Sequence, residues 1–239
     1  MTNRTRLFLY LTVLSLLSGA SSHAQQTNDG DMEKNGVVQV GLQDIAQFES
    51  DILAAQKHEL QHLPQSMQAK NILGWRFLDR NSQSVGKVAD VLLDVQTGDF
   101  KKIKVDPERL NFVGPLYFDM KAQNLEVEDS VIRCDMDKRQ IQDSQTTLGV
   151  VPQDTGRLVS LANLSGAIIY DRNKLQVGTV RGAFGIEKDH KITYLDAILA
   201  QTRQTVAIPL NQLEIVQQYG IVEIRVTDEQ LAVMKRLAR

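Results

Sequence analysis

Apolar and polar positions follow the same pattern in two separate stretches of the chain. Residues 71–88 read NILGWRFLDRNSQSVGKV and residues 163–180 read NLSGAIIYDRNKLQVGTV. Aligned without a gap they agree at eight positions, where chance at ordinary composition gives about one or two. The chain is therefore predicted to contain an internal duplication. The shared pairs are Asn71/Asn163, Gly74/Gly166, Asp79/Asp171, Arg80/Arg172, Asn81/Asn173, Val85/Val177, Gly86/Gly178 and Val88/Val180.

Each copy is predicted to consist of short strands joined by turns, the pattern of a small barrel or sandwich. In the first copy, strands are expected at 71–78 and 85–95, around the turn Asp79–Ser82, and a loop at 106–115. Gly86 and Gly178 are expected to mark a strand bend or a close approach of two backbones. Further on, Val206–Leu213 aligns with Phe118–Leu125 at an offset of 88, which places a loss of four residues in the loop at 111–115. Likewise, 221–226 aligns with 131–136.

The same patterns set the predicted boundaries: a flexible leader at 25–40, an amphipathic helix at 41–64, copy one at 68–142, a linker at 143–157 and copy two at 158–239. Pro64 ends the leading helix. Each copy closes with a helix that begins in a capping box, Asp137 with Gln140 and Thr227 with Gln230. The apolar stripe of the leading helix comprises Leu42, Ile45, Phe48, Ile52, Leu53, Leu60 and Leu63.

The first 24 residues have the composition of a signal peptide. Arg4 and Arg6 precede an eleven-residue apolar run, LFLYLTVLSLL, and a stretch of small residues ends at Ala24. Cleavage is expected between Ala24 and Gln25, with Ala20 as a second choice and an uncleaved anchor as the alternative. The mature protein is therefore predicted to be periplasmic or secreted, with membrane contact at most peripheral.

Charge and cysteine content narrow the possible partners. Removing the two arginines of the leader from 27 basic residues leaves 25 against 29 acidic ones, a net charge near −4. Nucleic-acid-binding proteins are usually basic, so no nucleic acid is expected as a partner. Cys134 is the single cysteine, which excludes an intramolecular disulfide. A packed thiol is expected there, with an intermolecular disulfide as the minor alternative.

The segment His58-Glu59-Leu60-Gln61-His62 has the spacing of the zinc-protease motif HExxH, in which two histidines bind the metal and the glutamate polarises water. Both histidines wind onto the face of the helix opposite its apolar stripe, near Asp44 and Asp51, which is expected to be solvated. No third ligand follows, and fewer than fifty residues precede the repeats. A solvated helix face is the favoured interpretation, and weak metal binding helped by Asp51 or Glu59 is a lesser one. No catalytic residue, cofactor or metal site is assigned.

The residues of the first copy resemble a known family. Gly74, Asp79, Asn81 and the run from Val85 to Val91 are similar to the opening of the PRC-barrel domain, and Val206–Leu213 resembles its closing strand. The resemblance implies a mainly β fold of two tandem small barrels, with the amphipathic helix before them and a short helix after. Copy one departs from the pattern, since Lys121 stands where copy two has Pro209. Members include a reaction-centre subunit and a ribosome-maturation factor, whose locations do not match an exported chain.

What the resemblance implies for function is a non-catalytic barrel that docks onto partners. We therefore expect an exported interaction module that binds another envelope protein or itself, and the alternative is a zinc hydrolase using His58, Glu59 and His62. Binding residues are expected where the copies differ: in the loop 106–115, at the Trp75/Ala167 position and in the leading helix.

Overall fold

The computed structural model describes residues 36–38, 44–62, 72–108, 114–128, 130–152, 157–186, 191–218 and 220–239, all within one compact unit, Lys34–Arg239. In this part of the chain the helices are α1 (Ile45–His62), α2 (Lys138–Asp143), α3 (Gln145–Leu148), α4 (Leu161–Leu164) and α5 (Asp228–Leu237), with a 3₁₀ turn at Leu210–Gln212. The strands are β1 (Gly36–Val38), β2 (Arg76–Leu78), β3 (Ser84–Asp94), β4 (Phe100–Pro107), β5 (Leu116–Asp119), β6 (Glu126–Glu128), β7 (Val131–Arg133), β8 (Leu158–Ser160), β9 (Ile168–Tyr170), β10 (Gln176–Ile186), β11 (Lys191–Leu199), β12 (Thr205–Pro209), β13 (Glu214–Gln218) and β14 (Ile221–Arg225).

The strands form two sheets, each built mainly from one half of the chain. The first has the order β5-β4-β3-β2-β7-β6, with β8 also paired to β3. The second has the order β1-β13-β14-β9-β10-β11-β12. In each sheet one parallel pair, β2 with β7 or β9 with β14, lies among antiparallel neighbours. The predicted class, mainly β with a helix before and a short helix after, is confirmed.

The opening turns of the two halves have the same hydrogen bonds. Asp79 Oδ1 accepts from the N–H groups of Asn81 and Gln83 at 2.9 and 2.8 Å, and Asp171 Oδ1 accepts from the corresponding residues at 2.8 and 2.9 Å. Gly74 and Gly166 have φ of +88° and +89°, which a side chain would strain, and each donates to the strand opposite at 2.8 Å. The Asp-Arg-Asn turns thus act as local structure, as their sequence indicates.

Strand register corrects the predicted alignment of the closing strands. Ile103 pairs with Phe118 and its counterpart Leu195 pairs with Ile208, an offset of 90 for this strand. Asp119, rather than Lys121, is therefore the counterpart of Pro209. Compared with the first half, the second half lacks two residues before this strand and two after it. The turn at 120–124 in the first half is replaced there by the 3₁₀ turn at Leu210–Gln212. The four residues are therefore not all lost from the loop at 111–115.

Strand pairing also corrects the predicted alignment between the last strands of the two halves. Val131–Arg133 pairs with β2 as Glu223–Arg225 pairs with β9, so the offset is 92 and not the predicted 90. The capping boxes at Asp137 and Thr227 form as predicted, at an offset of 90. Copy one therefore has two extra residues, Asp135 and Met136, between its last strand and its helix.

The segments predicted to be leader and linker contribute to the fold. Val37 and Val38, at the end of the predicted leader, belong to β1, which is paired to β13. Within the predicted linker, α3 buries Leu148 and contacts β5. Ser160, placed in copy two, belongs to β8, which pairs with β3 of the first sheet. One continuous cluster of buried apolar side chains contains residues of both halves, so the halves share a core.

Helix α1 packs on the second half through part of the predicted stripe, whose Leu42, Leu60 and Leu63 side chains lie outside the described residues. Phe48, Ile52 and Ala55 are buried, whereas Ile45 and Leu53 are 38% and 47% exposed. The buried side faces β12 and α5, and the small Ala55 allows a close approach there. No helix in the described part of the chain is long and apolar enough to cross a membrane.

Candidate functional site

The HExxH residues lie in the last turns of α1. His58, Glu59 and His62 belong to the helix, but their side chains lie outside the described residues, so metal binding there stays a prediction. Asp51, expected on a solvated face, instead accepts hydrogen bonds from Gln212 Nε2 and, at 2.8 Å, from Gln47 Nε2. The described residues contain no group of three His, Cys, Asp or Glu side chains placed to hold a metal ion.

Of the other positions where the copies differ, the Trp75/Ala167 pair belongs to the core. Trp75 is 8% exposed and Ala167 4%, so neither presents a surface to a partner. In the predicted loop, Asp106 and Pro107 continue β4, and residues 109–113 lie outside the described part of the chain.

Two carboxylates of β3 hold the start of the second half. Asp90 Oδ2 accepts from Ser160 Oγ at 2.5 Å, and its Oδ1 accepts from the backbone N–H of Ala162 at 3.1 Å. Asp94 Oδ2 lies 3.4 Å from Arg157 Nη2. Both groups bind the polypeptide itself, so they form a structural connection between the halves rather than an acid–base pair.

A polar groove of about 410 Å³ lies where the first half carries its two extra residues. It opens beside β6 and β7, at the junction of the last strand with α2. Its lining residues are Arg80, Asn124, Glu126, Arg133, Cys134 and Asp135.

Hydrogen bonds fix the wall that the extra residues form. Arg80 donates from Nη2 to the carbonyl of Asp135 at 2.9 Å and to Gln140 Oε1 at 2.8 Å, and its backbone N–H donates to the carbonyl of Met136 at 2.9 Å. The N–H of Asp135 donates to the carbonyl of Gln123 at 3.2 Å. These bonds hold the wall of the groove to the rest of the first half.

The groove is lined by equal numbers of positive and negative groups, and its thiol is buried. Two guanidinium groups, of Arg80 and Arg133, and two carboxylates, of Glu126 and Asp135, line the groove, and Arg80 Nε lies 3.8 Å from Asp135 Oδ1. Cys134 is 1% exposed, its Sγ donates to the carbonyl of Met136 at 3.7 Å, and burial raises the pKa of its thiol. A buried thiol of raised pKa is a poor nucleophile, so thiol chemistry is not expected in the groove. The prediction of a packed cysteine is confirmed.

The groove was not predicted from the sequence because the last strands of the two halves were aligned at an offset of 90 residues. That offset holds for the helices that follow them and not for the strands. The available signal was the spacing to the capping box. Cys134 is separated from Asp137 by two residues, whereas its counterpart Val226 directly precedes Thr227.

Comparison with known proteins gives one family. Residues 64–141, about a third of the chain, match the PRC-barrel domain. The match includes the whole first sheet apart from β8, and the walls of the groove. PRC-barrel domains are generally non-catalytic modules. No curated protein matches the chain.

Proposed function

We propose that this protein is an exported, non-catalytic interaction module built from two PRC-barrel-like halves, which docks onto an envelope protein. The observation that carries the proposal is the PRC-barrel match at residues 64–141 together with the groove that this domain presents. A module of this class acts through its surface, and the groove offers a polar surface at the edge of a sheet.

The proposal that residues 158–239 are a second copy is supported by repeated geometry. Asp171 and Gly166 reproduce the turn contacts of Asp79 and Gly74 to within about 0.1 Å. The parallel strand pair and the capping box recur as well. Such agreement in side-chain-to-backbone bonds is expected of a duplicated unit.

Export is supported by the amino-terminal pattern alone: Arg4 and Arg6, the apolar run and the small residues before Gln25. N-terminal sequencing of the protein from the envelope fraction is expected to begin at Gln25. A chain recovered from the cytoplasm with residues 1–24 intact would contradict the export.

Docking is tested by cross-linking the mature chain in its own envelope. The expected result is one protein recovered in near-stoichiometric amount that also binds the purified mature chain. The failure of every cross-linked protein to bind the purified chain would overturn the interaction role.

The hydrolase alternative is tested on the same preparation by metal analysis. Stoichiometric zinc that is lost in a His58→Ala, His62→Ala double variant would overturn the non-catalytic assignment.

A further inference from the structure

Strand β6 is the counterpart of β13, but the two differ at their outer edges. Val127 pairs with Ile132 as Ile215 pairs with Ile224. On its other side, Ile215 pairs with Val38 of β1, so the second sheet already carries an added strand at this position. No described strand occupies the corresponding side of β6.

The free edge of β6 presents the backbone groups of Val127. The N–H of Cys134 donates to Leu78 of β2, and backbone groups alternate in direction along a strand, so those of Arg133 face β6. Glu126 is the cross-strand partner of Arg133, so its backbone N–H and C=O face β7. The backbone N–H and C=O of Val127 therefore point away from the sheet. Within the described residues neither group has a hydrogen-bond partner.

The outer edges of β12 and β5 are in contact with other parts of the chain. Thr205 of β12 exchanges two backbone hydrogen bonds with Arg239, at 2.8 and 2.9 Å, and α1 packs over the same strand. Helix α3 contacts β5 and buries Leu148 beside it. Uncovered strand edges readily pair with another chain, and proteins usually shield them. Of the edges of β12, β5 and β6, that of β6 has no such contact within the described part of the chain and is open to an outside strand.

The exposed side chains of β6 indicate which charge a strand paired to its free edge would carry. Glu126 and Glu128 are exposed on one face of β6; Arg133 is the cross-strand neighbour of Glu126 on β7, but neither glutamate forms an ion pair with a described residue. Val127, between them, packs its side chain on the core. Opposite charges placed directly across two strands stabilise pairing, and like charges oppose it.

We propose that β6 binds an extended segment of a partner protein by strand addition, and that this segment has lysine or arginine at two alternate positions. The cations lie opposite Glu126 and Glu128, the backbone pairs with Val127, and the chain continues into the groove beyond Glu126. The proposal rests on the interaction role proposed above and names the surface and the charge of its partner. The chain's own β1 is engaged on β13 and is therefore not the occupant of β6, which we assign to another protein.

The test uses the mature chain and two fluorescein-labelled peptides, Lys-Val-Lys-Val-Lys and its acidic match Glu-Val-Glu-Val-Glu. Fluorescence anisotropy is expected to show saturable binding of the basic peptide only. Val127→Pro removes the outward N–H at an edge position where proline is tolerated, and is expected to weaken binding about tenfold or more. The matched control Val127→Ala keeps the N–H and is expected to retain binding within about twofold. Amide exchange is expected to slow at Val127 when the basic peptide binds.

A charge-reversed variant tests the edge without a proline. The double variant Glu126→Lys, Glu128→Lys is expected to bind the acidic peptide and to lose binding of the basic one. This result tests strand addition at β6 even if Val127→Pro fails to fold. Unchanged peptide preference in this variant, or peptide protection at a strand other than β6, would overturn the proposal. A wild-type dimer that Val127→Pro dissociates, without peptide binding, would make the occupant a second copy and also overturn it. An envelope partner that cross-links equally to wild type and Val127→Pro would remove strand addition at β6 but leave the interaction role standing.

Discussion

Replacing Gly86 with alanine is expected to destabilise the protein strongly, because β3 and β4 approach each other closely at this residue. A Cβ at position 86 would lie 2.1 Å from the carbonyl oxygen of Asp106, 2.8 Å from its carbonyl carbon and 2.9 Å from Cα of Pro107. All three are backbone atoms of the paired strand, so no side-chain rotation relieves the contact. The strands must move apart by about 1 Å, out of the usual spacing of about 4.8 Å.

The size of the effect follows from what that movement disrupts. The bond from the N–H of Glu108 to the carbonyl of Val85 at 3.1 Å closes this end of the ladder, and Val88 and Val105 pair in the core just beyond it. Inserting a methyl group into close-packed structure costs about 1–3 kcal/mol, and a clash against backbone alone places Gly86→Ala near the upper end, at about 3 kcal/mol. At Gly178 the nearest atom is the carbonyl oxygen of Ile198 at 2.7 Å, so about 1–2 kcal/mol is expected there.

Gly182 provides the matched control. It lies in β10, and a Cβ there would meet no atom within 4 Å. Gly182→Ala is expected to stabilise the protein by about 0.5–1 kcal/mol, since alanine reduces the freedom of the unfolded chain.

Equilibrium urea unfolding followed by the fluorescence of Trp75 measures all three changes, since Trp75 is the single tryptophan and is buried. With a slope of about 2 kcal/mol per M, Gly86→Ala lowers the midpoint by about 1.5 M. Equal midpoints for Gly86→Ala and Gly182→Ala would refute the reasoning. Gly178→Ala must also shift the Trp75 transition, because the two halves share one core.

Two further predictions follow from buried ionisable groups. Burial raises the pKa of Cys134, so at pH 8 the thiol is expected to react with a disulfide reagent only as fast as the protein unfolds, and rapid reaction of the native protein would contradict this. Burial also raises the pKa of Asp196, in part offset by Arg181, whose Nε lies 2.6 Å from its Oδ2. The folded protein then binds the proton more tightly than the unfolded chain, so this carboxyl lowers stability as pH rises from its unfolded pKa of about 3.9 through its higher folded value. Urea midpoints of Asp196→Asn are expected to show a smaller decline over that range than those of wild type, and parallel curves would contradict the assignment.

Features encoded by a few neighbouring residues were predictable from the sequence. The Asp79 turn and the capping box at Asp137 formed as expected, because each depends on hydrogen bonds that reach no further than four residues. The close approach at Gly86 was also predicted, since only glycine leaves room for a carbonyl at that distance.

Strand register was not predictable to the residue. Side chains alternate with a period of two, so a shift of two positions keeps every apolar residue on its face and the hydrophobic pattern cannot detect it. This is why Val131–Arg133 was aligned two residues away from its true counterparts. Pairings between distant segments, such as β1 with β13 and β8 with β3, were missed because neither partner has a local signal for the other.

The undetected shift matters for function because it conceals the main structural difference between the halves. Both capping boxes start their helices in the same way, so the two extra residues of the first half lie between the last strand and the helix, with Met136 packed against the core. The backbone of these residues is bonded at Asp135 and Met136 to Arg80 and Gln123, which holds it in place. A preorganised surface avoids the ordering cost that a loop would add to binding. The first half therefore combines a groove with an open strand edge, while the second half has covered the same edge with the chain's own β1.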